Sequence, residues 1–373
     1  MKKITCIIHS LTIGGMERVM SLLLNDFSGR KNVQLDLILI GRTREISYCI
    51  PKNITIHSPD FKFNDNKRVY HTIKTIWFIR KTLKKLKPDT ILSFGEFWNN
   101  LVLLSAYGLP YPIFISDRSQ PNKNLGKVQN FLRNTLYPKA SGFIAQTQYA
   151  AENAKRKDRN KNICAIGNPV RQVIQKSAVY SREKMVLSVG RLIKTKHFDD
   201  LIRMFVELDQ PDWHLVIVGG NAKRQDQLSE LYKLIMTLGA EDKVTLTGEV
   251  RNVEEYYQKA SIFAFTSSSE GFPNVIGEAL SHGIPVVAYD CMAGPSDLII
   301  HNKNGYLVKT HNHKEFKKKM RSLMQDEQRR MELAKNAKPS ILKFEQSEIA
   351  ERFYNCITKV PHTLEKGREK PTE

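Results

Sequence analysis

Residues 262–280, IFAFTSSSEGFPNVIGEAL, pass from an apolar run through a polar loop into a helical pattern. The run Ile262–Phe265 is typical of a strand buried on both faces of a parallel sheet. Pro273 suits the first position of a helix, and Asn274 stands beside it. The free backbone N–H groups of this predicted helix start lie at the carboxyl edge of the sheet, where they favour a polar or anionic ligand.

Two carboxylates lie on either side of the predicted helix start. Glu270 precedes the helix, and Glu278 shares a helix face with Asn274, four residues earlier. Carboxylates accept hydrogen bonds from adjacent hydroxyls, so Glu278 suits a ribose and Glu270 suits the ring hydroxyls of a sugar. Acid–base catalysis by the pair is a second interpretation. In a third, Glu278 lies on a solvated helix face and Glu270 only helps to cap the helix.

The rest of the chain alternates short apolar runs with longer amphipathic stretches, which is typical of βαβ units and parallel sheets. Each half predicts its own doubly wound α/β sheet, with a ligand cleft between the carboxyl ends of the two sheets. The predicted strands are Ile4–His9, Leu35–Ile40, Thr90–Phe94, Ile113–Ser116, Gly142–Ala145, Met185–Val189, His214–Val218, Val244–Leu246, Ile262–Phe265 and Pro285–Ala288.

A chain of 373 residues is too long for one hydrophobic core, so two domains are expected. Gly and Pro interrupt the pattern at Ile166–Val170, and a polar stretch follows up to Arg182. We therefore predict a first domain at residues 1–170 and a second domain at residues 171–344. A closing helix at about 345–358 is expected to pack on the first domain, and a polar tail at 359–373 is expected to be disordered.

A second motif occupies residues 188–197, SVGRLIKTKH, where a predicted strand ends at Gly190 and a basic loop leads into a helix. Arg191 offers a bidentate fork and Lys196 a point charge, which together suit the two phosphates of a nucleoside diphosphate. Both cations would also stabilise the negative charge of a departing diphosphate. The alternative is a basic loop that is only solvated.

A third motif, Thr12–Glu17, follows the first predicted strand and contains the pair Gly14 and Gly15. Adjacent glycines allow the backbone to approach a ligand closely at a helix start. Their spacing matches neither the pattern GxGxxG nor the Walker pattern, which argues against dinucleotide and ATP chemistry. Taken alone, this motif is explained more simply as a tight strand-to-helix turn.

The net charge of +20 is concentrated in the first part of the chain. Residues 1–170 contain 27 Lys/Arg and 11 Asp/Glu, a net charge of +16, so the remainder has only +4. A basic half of this kind predicts an anionic membrane leaflet or nucleic acid as partner, unless its surface is only solvated. The absence of a zinc finger, an RNP-type motif or a recognition helix disfavours nucleic acid. We therefore expect an anionic membrane surface as the partner, and no nucleic acid.

One predicted amphipathic helix combines Trp77 with a row of cations, as in peripheral membrane proteins. We expect most of its apolar residues to pack on the sheet, so that the charges alone contact lipid. No stretch approaches the ~20 apolar residues of a spanning helix. Five scattered cysteines indicate neither a disulfide framework nor a zinc site and fit a reducing cytoplasm. The cations are Lys74, Arg80, Lys81, Lys84, Lys85 and Lys87.

Together, these motifs in this order resemble the retaining glycosyltransferases of family 4, or glycosyl transferases group 1, which share the GT-B fold. The resemblance extends over nearly the whole chain, from Gly14 and Gly15 through Gly190 to the E-x7-E segment, and is most specific at residues 269–279, SEGFPNVIGEA. It implies two Rossmann-like domains that face each other across a cleft. It also implies retention of anomeric configuration with no metal ion and no cofactor besides the sugar-nucleotide donor.

The resemblance implies roles for the residues that match the family's motifs. The glycine loop would contact the donor phosphate or the acceptor, Arg191 and Lys196 would hold the diphosphate, and Glu278 would hold the ribose. The leaving diphosphate would take the acceptor proton during front-face attack, so no enzymic nucleophile is expected. The sugar would be held by the first glutamate and the loop amides after it, at Glu270, Phe272, Pro273 and Asn274.

The stretch 114–121, FISDRSQP, resembles the acidic-Arg segment of a subset that assembles cell-surface polysaccharides on lipid diphosphates. The acidic position is usually Glu in that subset, so Asp117 is a conservative departure. Asp117 would orient the acceptor hydroxyl, or it caps a helix and pairs with Arg118. Glu96, together with Asn99, and Gln146 lie at strand ends in the first half, where they either line the acceptor pocket or act as caps.

The predicted function is transfer of a hexose or N-acetylhexosamine, from UDP rather than GDP, to a hydroxyl of an undecaprenyl-diphosphate type of lipid-linked glycan. This reaction would build a bacterial surface polysaccharide, such as an O-antigen or capsule, at the cytoplasmic face of the plasma membrane. A sugar-nucleotide epimerase of the same architecture and a transferase with a soluble acceptor are alternatives. A third alternative is a non-catalytic basic protein that binds membranes or nucleic acid.

Overall fold

The computed structural model describes residues 1–171, 182–222 and 225–359. Apart from Lys359, the predicted disordered tail lies outside these residues, as does most of the polar stretch before Arg182. Two parallel sheets form the centre of the described structure, and helices cover their faces. This arrangement confirms the predicted α/β class with two doubly wound sheets.

The first sheet has seven parallel strands in the order β3-β2-β1-β4-β5-β6-β7. The order reverses direction between β1 and β4, and open α/β sheets bind ligands at such a switch point. Its strands are β1 (Lys2–Ile8), β2 (Val33–Leu39), β3 (Thr55–His57), β4 (Thr90–Phe94), β5 (Ile113–Ser116), β6 (Gly142–Ala145) and β7 (Ile163–Ala165).

The second sheet has six parallel strands in the order β10-β9-β8-β11-β12-β13, with its switch point between β8 and β11. Its central strands are almost entirely buried, as their continuous apolar sequences require. Its strands are β8 (Met185–Val189), β9 (His214–Val218), β10 (Val244–Leu246), β11 (Ile262–Phe265), β12 (Val286–Asp290) and β13 (Gly305–Lys309).

Helices connect the strands and cover both sheets. Short 3-10 helices occur at Asp65–Lys67, Tyr137–Lys139, Lys194–Lys196 and Leu342–Phe344. The α-helices of the described residues are α1 (Gly15–Ser28), α2 (Arg68–Leu86), α3 (Glu96–Ser105), α4 (Lys127–Leu136), α5 (Gln148–Arg156), α6 (Phe198–Leu208), α7 (Gln227–Thr237), α8 (Glu254–Lys259), α9 (Asn274–Ser281), α10 (Pro295–Leu298), α11 (His313–Gln325), α12 (Glu327–Ser340) and α13 (Gln346–Thr358).

Seven of the ten predicted strands occupy the predicted residues, and β1, β2 and β12 are shifted by one or two residues at their ends. The sequence did not predict β3, β7 and β13. All three lie at sheet edges. An edge strand pairs on one side only, so it needs no continuous apolar run, and the three residues of β3 are exposed or half-buried.

The chain crosses between the two sheets twice, and the crossings touch. After β7 the chain passes through Gly167 and Val170 toward the second sheet, and it returns through Phe344 to α13. The Val170 N–H donates to the Phe344 carbonyl at 2.8 Å. Gly167 packs against the rings of Phe272 and Phe344, where a Cβ would be 2.8 and 2.6 Å from their carbons.

Helix α13 packs on the first sheet's side of the molecule. The Arg30 guanidinium, just after α1, lies 4.3 Å from the Tyr354 ring centre and 2.6 Å from the Glu351 carboxylate. Phe353 packs near Phe94 of β4, with 5.9 Å between ring centres. The predicted limits of the two domains, 1–170 and 171–344, remain a prediction.

Candidate active site

The loops after β8 and β11 meet at the switch point of the second sheet. The Thr266 hydroxyl donates to the Lys196 carbonyl at 2.8 Å, and the Ser268 N–H donates to the Thr195 carbonyl at 2.9 Å. Neighbouring parallel strands end at the same edge of a sheet, so the motif at residues 188–197 and the E-x7-E segment form one continuous surface. These hydrogen bonds fix the position of the loop that contains Glu270.

Lys196 and Glu270 form an ion pair at the centre of this surface. Lys196 Nζ lies 2.5 Å from Glu270 Oε1, and each side chain is only 15% exposed. Gly190 borders the lysine, since a Cβ there would lie 3.3 Å from Lys196 Cε. A cation and a carboxylate so close together can contact one ligand from two sides, the cation at a phosphate and the carboxylate at hydroxyls.

Arg191 lies in the same loop, five residues before Lys196, and is exposed. Its side chain makes no hydrogen bond or ion pair with the residues that the structure describes. Its guanidinium therefore remains available for a bidentate contact with an anion.

Glu278 makes contacts that connect the two sheets. Its carboxylate accepts hydrogen bonds from Arg18 Nη1 at 3.0 Å and from the Tyr257 hydroxyl at 3.1 Å. Arg18 belongs to α1 after the first strand, whereas Tyr257 belongs to α8 of the second half. Burial and the Glu278 carboxylate raise the pKa of Tyr257 well above its ordinary value, so the phenol stays protonated as a donor.

A cavity of about 510 Å³ opens beside this carboxylate. Its lining combines charged groups from both halves of the chain with the apolar Leu22 and Val253. The Glu278 side chain is only 22% exposed, so it does not lie on a solvated helix face. Other residues of the lining are Arg18, Pro169, Val170, Arg171, Glu254, Tyr257, Ser281, His282 and Gln346.

The paired glycines approach the E-x7-E segment across the cleft. Helix α1 begins at Gly15, and a Cβ there would lie 3.6 Å from Asn274 Nδ2. The Tyr48 hydroxyl donates to the Gly14 carbonyl at 3.0 Å and accepts from the Gly14 N–H at 3.2 Å. A Cβ on Gly14 would lie 2.2 Å from Glu17 Oε2, so a larger residue would displace this carboxylate.

Helix α9 begins at Asn274, one residue later than predicted, and no side chain caps it. Pro273 precedes the helix, and proline has no N–H, so Pro273 cannot supply the amide that the family resemblance implied. The Asn274 N–H donates to the Phe272 carbonyl at 3.0 Å, and the Phe272 side chain is buried. The capping role considered for Glu270 is thus not what the structure shows.

A polar network links Asn274 to the first sheet. Asn274 Oδ1 accepts from Asn168 Nδ2 at 2.9 Å. Asn168 Oδ1 in turn accepts from Arg118 Nη2 at 2.5 Å and from Gln146 Nε2 at 3.1 Å. Gln146, a weak candidate from sequence, therefore lies beside the start of α9.

The polar partners of Asp117 come from the first half of the chain. It accepts from the Tyr137 hydroxyl at 2.6 Å and from Asn99 Nδ2 at 3.2 Å, and Arg133 Nη2 lies 3.7 Å away. Burial, followed by the negative charge of Glu96, raises the pKa of Asp117 to about 6 against the opposing effects of Arg133 and Tyr137. Helix α4 begins at Lys127 after Gly126, so Asp117 does not cap it.

Glu96 orders the loop that joins Asp117 to the cleft. Its carboxylate accepts from the Ser119 N–H at 2.7 Å, from the Arg118 N–H at 3.2 Å and from the Ser119 hydroxyl. This loop touches the E-x7-E segment, since a Cβ on Gly271 would lie 3.1 Å from Ser119 Cα. The structure thereby joins the acidic-Arg segment to the loop of Glu270 through backbone contacts.

The sequence analysis missed Arg18, Tyr257, Asn168 and the pair of His9 and Glu17. His9 Nε2 lies 3.3 Å from Glu17 Oε1, and its ring stacks on Trp98 with 5.5 Å between ring centres. Burial lowers the pKa of His9, and the Glu17 carboxylate opposes this effect. The only signal for His9, Glu17 and Arg18 was their position soon after β1, at the carboxyl edge of the sheet.

The family model for glycosyl transferases group 1 matches residues 170–339. A relative from Campylobacter jejuni, GalNAc-alpha-(1->4)-GalNAc-alpha-(1->3)-diNAcBac-PP-undecaprenol alpha-1,4-N-acetyl-D-galactosaminyltransferase, is 30% identical over 372 residues, covering 96% of this chain and 99% of the relative. A second C. jejuni relative, N-acetylgalactosamine-N,N'-diacetylbacillosaminyl-diphospho-undecaprenol 4-alpha-N-acetylgalactosaminyltransferase, is 29% identical over 368 residues, 94% of this chain and 98% of its own.

Solved structures share the architecture across both sheets. The lipopolysaccharide outer core galactosyltransferase WaaB in its apo form superposes with a TM-score of 0.77 at 21% identity, covering 95% of this chain and 98% of the other. HepE of Anabaena in complex with UDP gives a TM-score of 0.79 at 19% identity, covering 95% and 99%. At these identities the likeness is one of fold, and it confirms the GT-B fold predicted from the sequence.

Proposed function

The chain belongs to the glycosyl transferases group 1, and from this premise we propose that it transfers a hexose or N-acetylhexosamine from a UDP-sugar to a hydroxyl of an undecaprenyl-diphosphate-linked glycan. The proposal rests on one observation above all, the Lys196–Glu270 ion pair at the switch point of the second sheet. Three groups of side chains would then each bind a different part of one donor molecule. Lys196 and Arg191 hold the diphosphate, Glu270 holds the sugar hydroxyls, and Glu278 holds the ribose.

The proposed reaction retains the anomeric configuration. The bond from the acceptor oxygen to the anomeric carbon forms on the face from which the diphosphate departs, and a diphosphate oxygen takes the acceptor proton. Lys196 and Arg191 stabilise the charge that develops on the diphosphate, so the proposed mechanism needs no metal ion or further cofactor. In this mechanism Glu270 accepts hydrogen bonds from the hydroxyls of the donor sugar. It does not act as a nucleophile, because its carboxylate is already paired with Lys196.

The names of relatives support the choice of donor and acceptor. HepE of Anabaena was crystallised with UDP, as was TarM of Staphylococcus aureus. Both C. jejuni relatives are named for transfer of N-acetylgalactosamine to glycans on undecaprenol diphosphate. A role in building a bacterial surface polysaccharide follows from the same acceptor, as in the amylovoran biosynthesis glycosyltransferase AmsD of Erwinia amylovora.

A lipid-linked acceptor implies contact with the cytoplasmic face of the plasma membrane, and α2 offers a surface for it. Ile79 and Leu83 of α2 are buried on the sheet, whereas Ile73 and Trp77 are 60% and 63% exposed. Lys81 Nζ lies 4.9 Å from the Trp77 ring centre. The expectation that only charges face outward was therefore wrong, because the helix has exposed apolar groups among its lysines, and such groups insert into a leaflet.

Helix α4 adds to this surface, through α3, which packs against both helices. Val128 and Phe131 of α4 are 71% and 68% exposed. No helix among the described residues is both long and apolar enough to cross a membrane. Peripheral binding through mixed basic and apolar side chains is thus the mode we propose.

The test is a transfer assay with purified protein, a panel of UDP- and GDP-sugars, and a synthetic undecaprenyl-diphosphate glycan. Mass spectrometry of the lipid product identifies the sugar, NMR gives its anomeric configuration, and a parallel reaction contains EDTA. The proposal predicts a lipid-linked product with retained configuration and undiminished yield in EDTA. Conversion of the nucleotide sugar without any acceptor would indicate an epimerase. Transfer to water-soluble glycans alone would contradict the lipid acceptor, and no turnover with any donor would contradict an enzymic role.

A further inference from the structure

Three side chains that bind transition metals converge next to the donor loops. His197 precedes α6, Asp200 lies in its first turn, and His311 follows β13. Each offers a ligand atom, and these atoms all lie within 4.8 Å of one another. This cluster could not be predicted from the sequence, because His311 is more than a hundred residues from the other two.

The spacing of the ligand atoms suits a small metal ion. His197 Nδ1 lies 3.5 Å from Asp200 Oδ2. Ligands bonded to zinc at about 2.0–2.2 Å in a tetrahedron are roughly 3.3–3.5 Å apart. His311 is exposed, so closing its distance from at most 4.8 Å requires a shift of no more than about 1.5 Å at the surface.

The surroundings hold the first histidine in place. His197 Nε2 lies 2.9 Å from the Ser268 hydroxyl, which leaves Nδ1 directed toward Asp200. Histidine ligands of metals commonly use the second ring nitrogen in such a hydrogen bond, which fixes the tautomer. His313 lies at the edge of the cluster, with Nε2 3.5 Å from Asp200 Oδ2 and no hydrogen-bond partner within the described ranges.

We propose that His197, Asp200 and His311 form a binding site for a divalent transition-metal ion of the zinc class. Two neutral imidazoles and one carboxylate give a donor set of net charge −1, which suits such an ion better than Mg²⁺, whose preferred ligands are oxygens. Water or His313 completes a four-coordinate shell.

The site borders the donor site without being part of it. His197 follows Lys196, and Ser268 lies two residues before Glu270. The ion would link the loop after β8 to the segment after β13, and the groups that contact the donor would remain free of metal, so transfer does not require the ion. The proposal is independent of the donor and acceptor assigned above, since it rests on the ligand cluster alone.

The test uses full-length, tag-free protein that is stripped with a chelator and dialysed against metal-free buffer. Titration with Co²⁺ is followed by visible absorption and titration with Zn²⁺ by calorimetry. We expect one ion per chain and visible absorption bands as intense as those of tetrahedrally coordinated Co²⁺. We also expect Zn²⁺ to displace the Co²⁺, whereas a large excess of Mg²⁺ should not.

His311→Ala should weaken Zn²⁺ binding by at least roughly tenfold, since even second-shell changes cost 10–100-fold. His311 is exposed, so this variant should fold, and circular dichroism checks that it does. His311→Cys should restore binding and add a thiolate-to-cobalt absorption band. The matched control, His214→Ala, removes a histidine whose Nε2 contacts Thr245 in the same sheet and should bind like the wild type. Zn²⁺ binding that is unchanged in His311→Ala, or absent from the wild type, would overturn the proposal.

Discussion

The ion pair between Lys196 and Glu270 offers the sharpest test of the donor site. Lys196→Met keeps the length and apolar contacts of the side chain but removes the ammonium, and Glu270→Gln keeps the shape but removes the charge. Each change leaves the other partner without its opposite charge in a site where both side chains are 15% exposed. The structure predicts that both variants fold and that both lose transfer activity.

The size of the loss follows from the burial of the pair. A preorganised hydrogen-bond donor that stabilises the charge of a transition state contributes about 2.7–4 kcal/mol, or 10²–10³ in kcat. Loss of the pair should cost the fold on the order of 1–3 kcal/mol, between the values for exposed and buried pairs. The double variant should lose less activity than the product of the two single losses, because both groups act on one donor.

The assay is initial-rate transfer from the preferred UDP-sugar, with kcat and KM determined separately and thermal unfolding recorded for each variant. Lys194→Met is the matched control, because Lys194 lies in the same short 3-10 helix but is exposed. It should retain nearly full activity. Normal turnover by both Lys196→Met and Glu270→Gln, or an equal loss in Lys194→Met, would refute the assignment of the donor site.

Three further predictions concern other contacts. Arg18→Leu should raise the KM for the donor by roughly tenfold with a smaller change in kcat, because a charged hydrogen bond to Glu278 contributes about 1.5–3 kcal/mol; an unchanged KM in steady-state assays would disconnect Glu278 from the ribose. Replacing Ile73 and Trp77 together by Ser should weaken sedimentation with anionic liposomes while leaving transfer to a water-soluble acceptor unchanged, and undiminished sedimentation would contradict the membrane surface. The pKa of Asp117 is raised from 3.8 to about 6, so its contribution to stability is full below its unfolded pKa and lost as pH rises through 6. Asp117→Asn should therefore flatten the stability between pH 4 and 6, a change on the order of 2–3 kcal/mol in urea unfolding, and an unaltered slope would contradict the raised pKa.

The sequence predicted the central strands and the places where the motifs meet. Strands such as Ile262–Phe265 are buried on both faces, so their continuous apolar runs leave little choice of structure. The motifs with Gly190 and Glu270 each follow such a strand, and parallel pairing places the two strand ends side by side. The local sequence pattern was sufficient to predict this site, because β8 and β11 pair in parallel and the loops that follow them therefore lie side by side.

Other features depend on distances that no local pattern contains. The contact of Arg18 with Glu278 joins positions 260 residues apart, and it depends on how α1 faces α9 across the cleft. The outward direction of Trp77 could not be told from its helical spacing, because the apolar residues of α2 extend beyond the face that the sheet covers. Asp117 showed the same limit, since its partners Tyr137 and Arg133 follow on a later helical segment.

The two adjoining crossings between the sheets restrict how the molecule can move. A single linker would allow one half to rotate freely against the other. Two linkers that are hydrogen-bonded to each other, as at Val170 and Phe344, restrict that rotation to a common axis. A rotation that keeps Val170 and Phe344 in contact preserves both crossings, whereas a twist about another axis would separate Val170 from Phe344 or pull Gly167 away from the rings it contacts. We therefore expect any opening of the cleft to proceed as a rotation about the two crossings, which would separate Arg18 from Glu278.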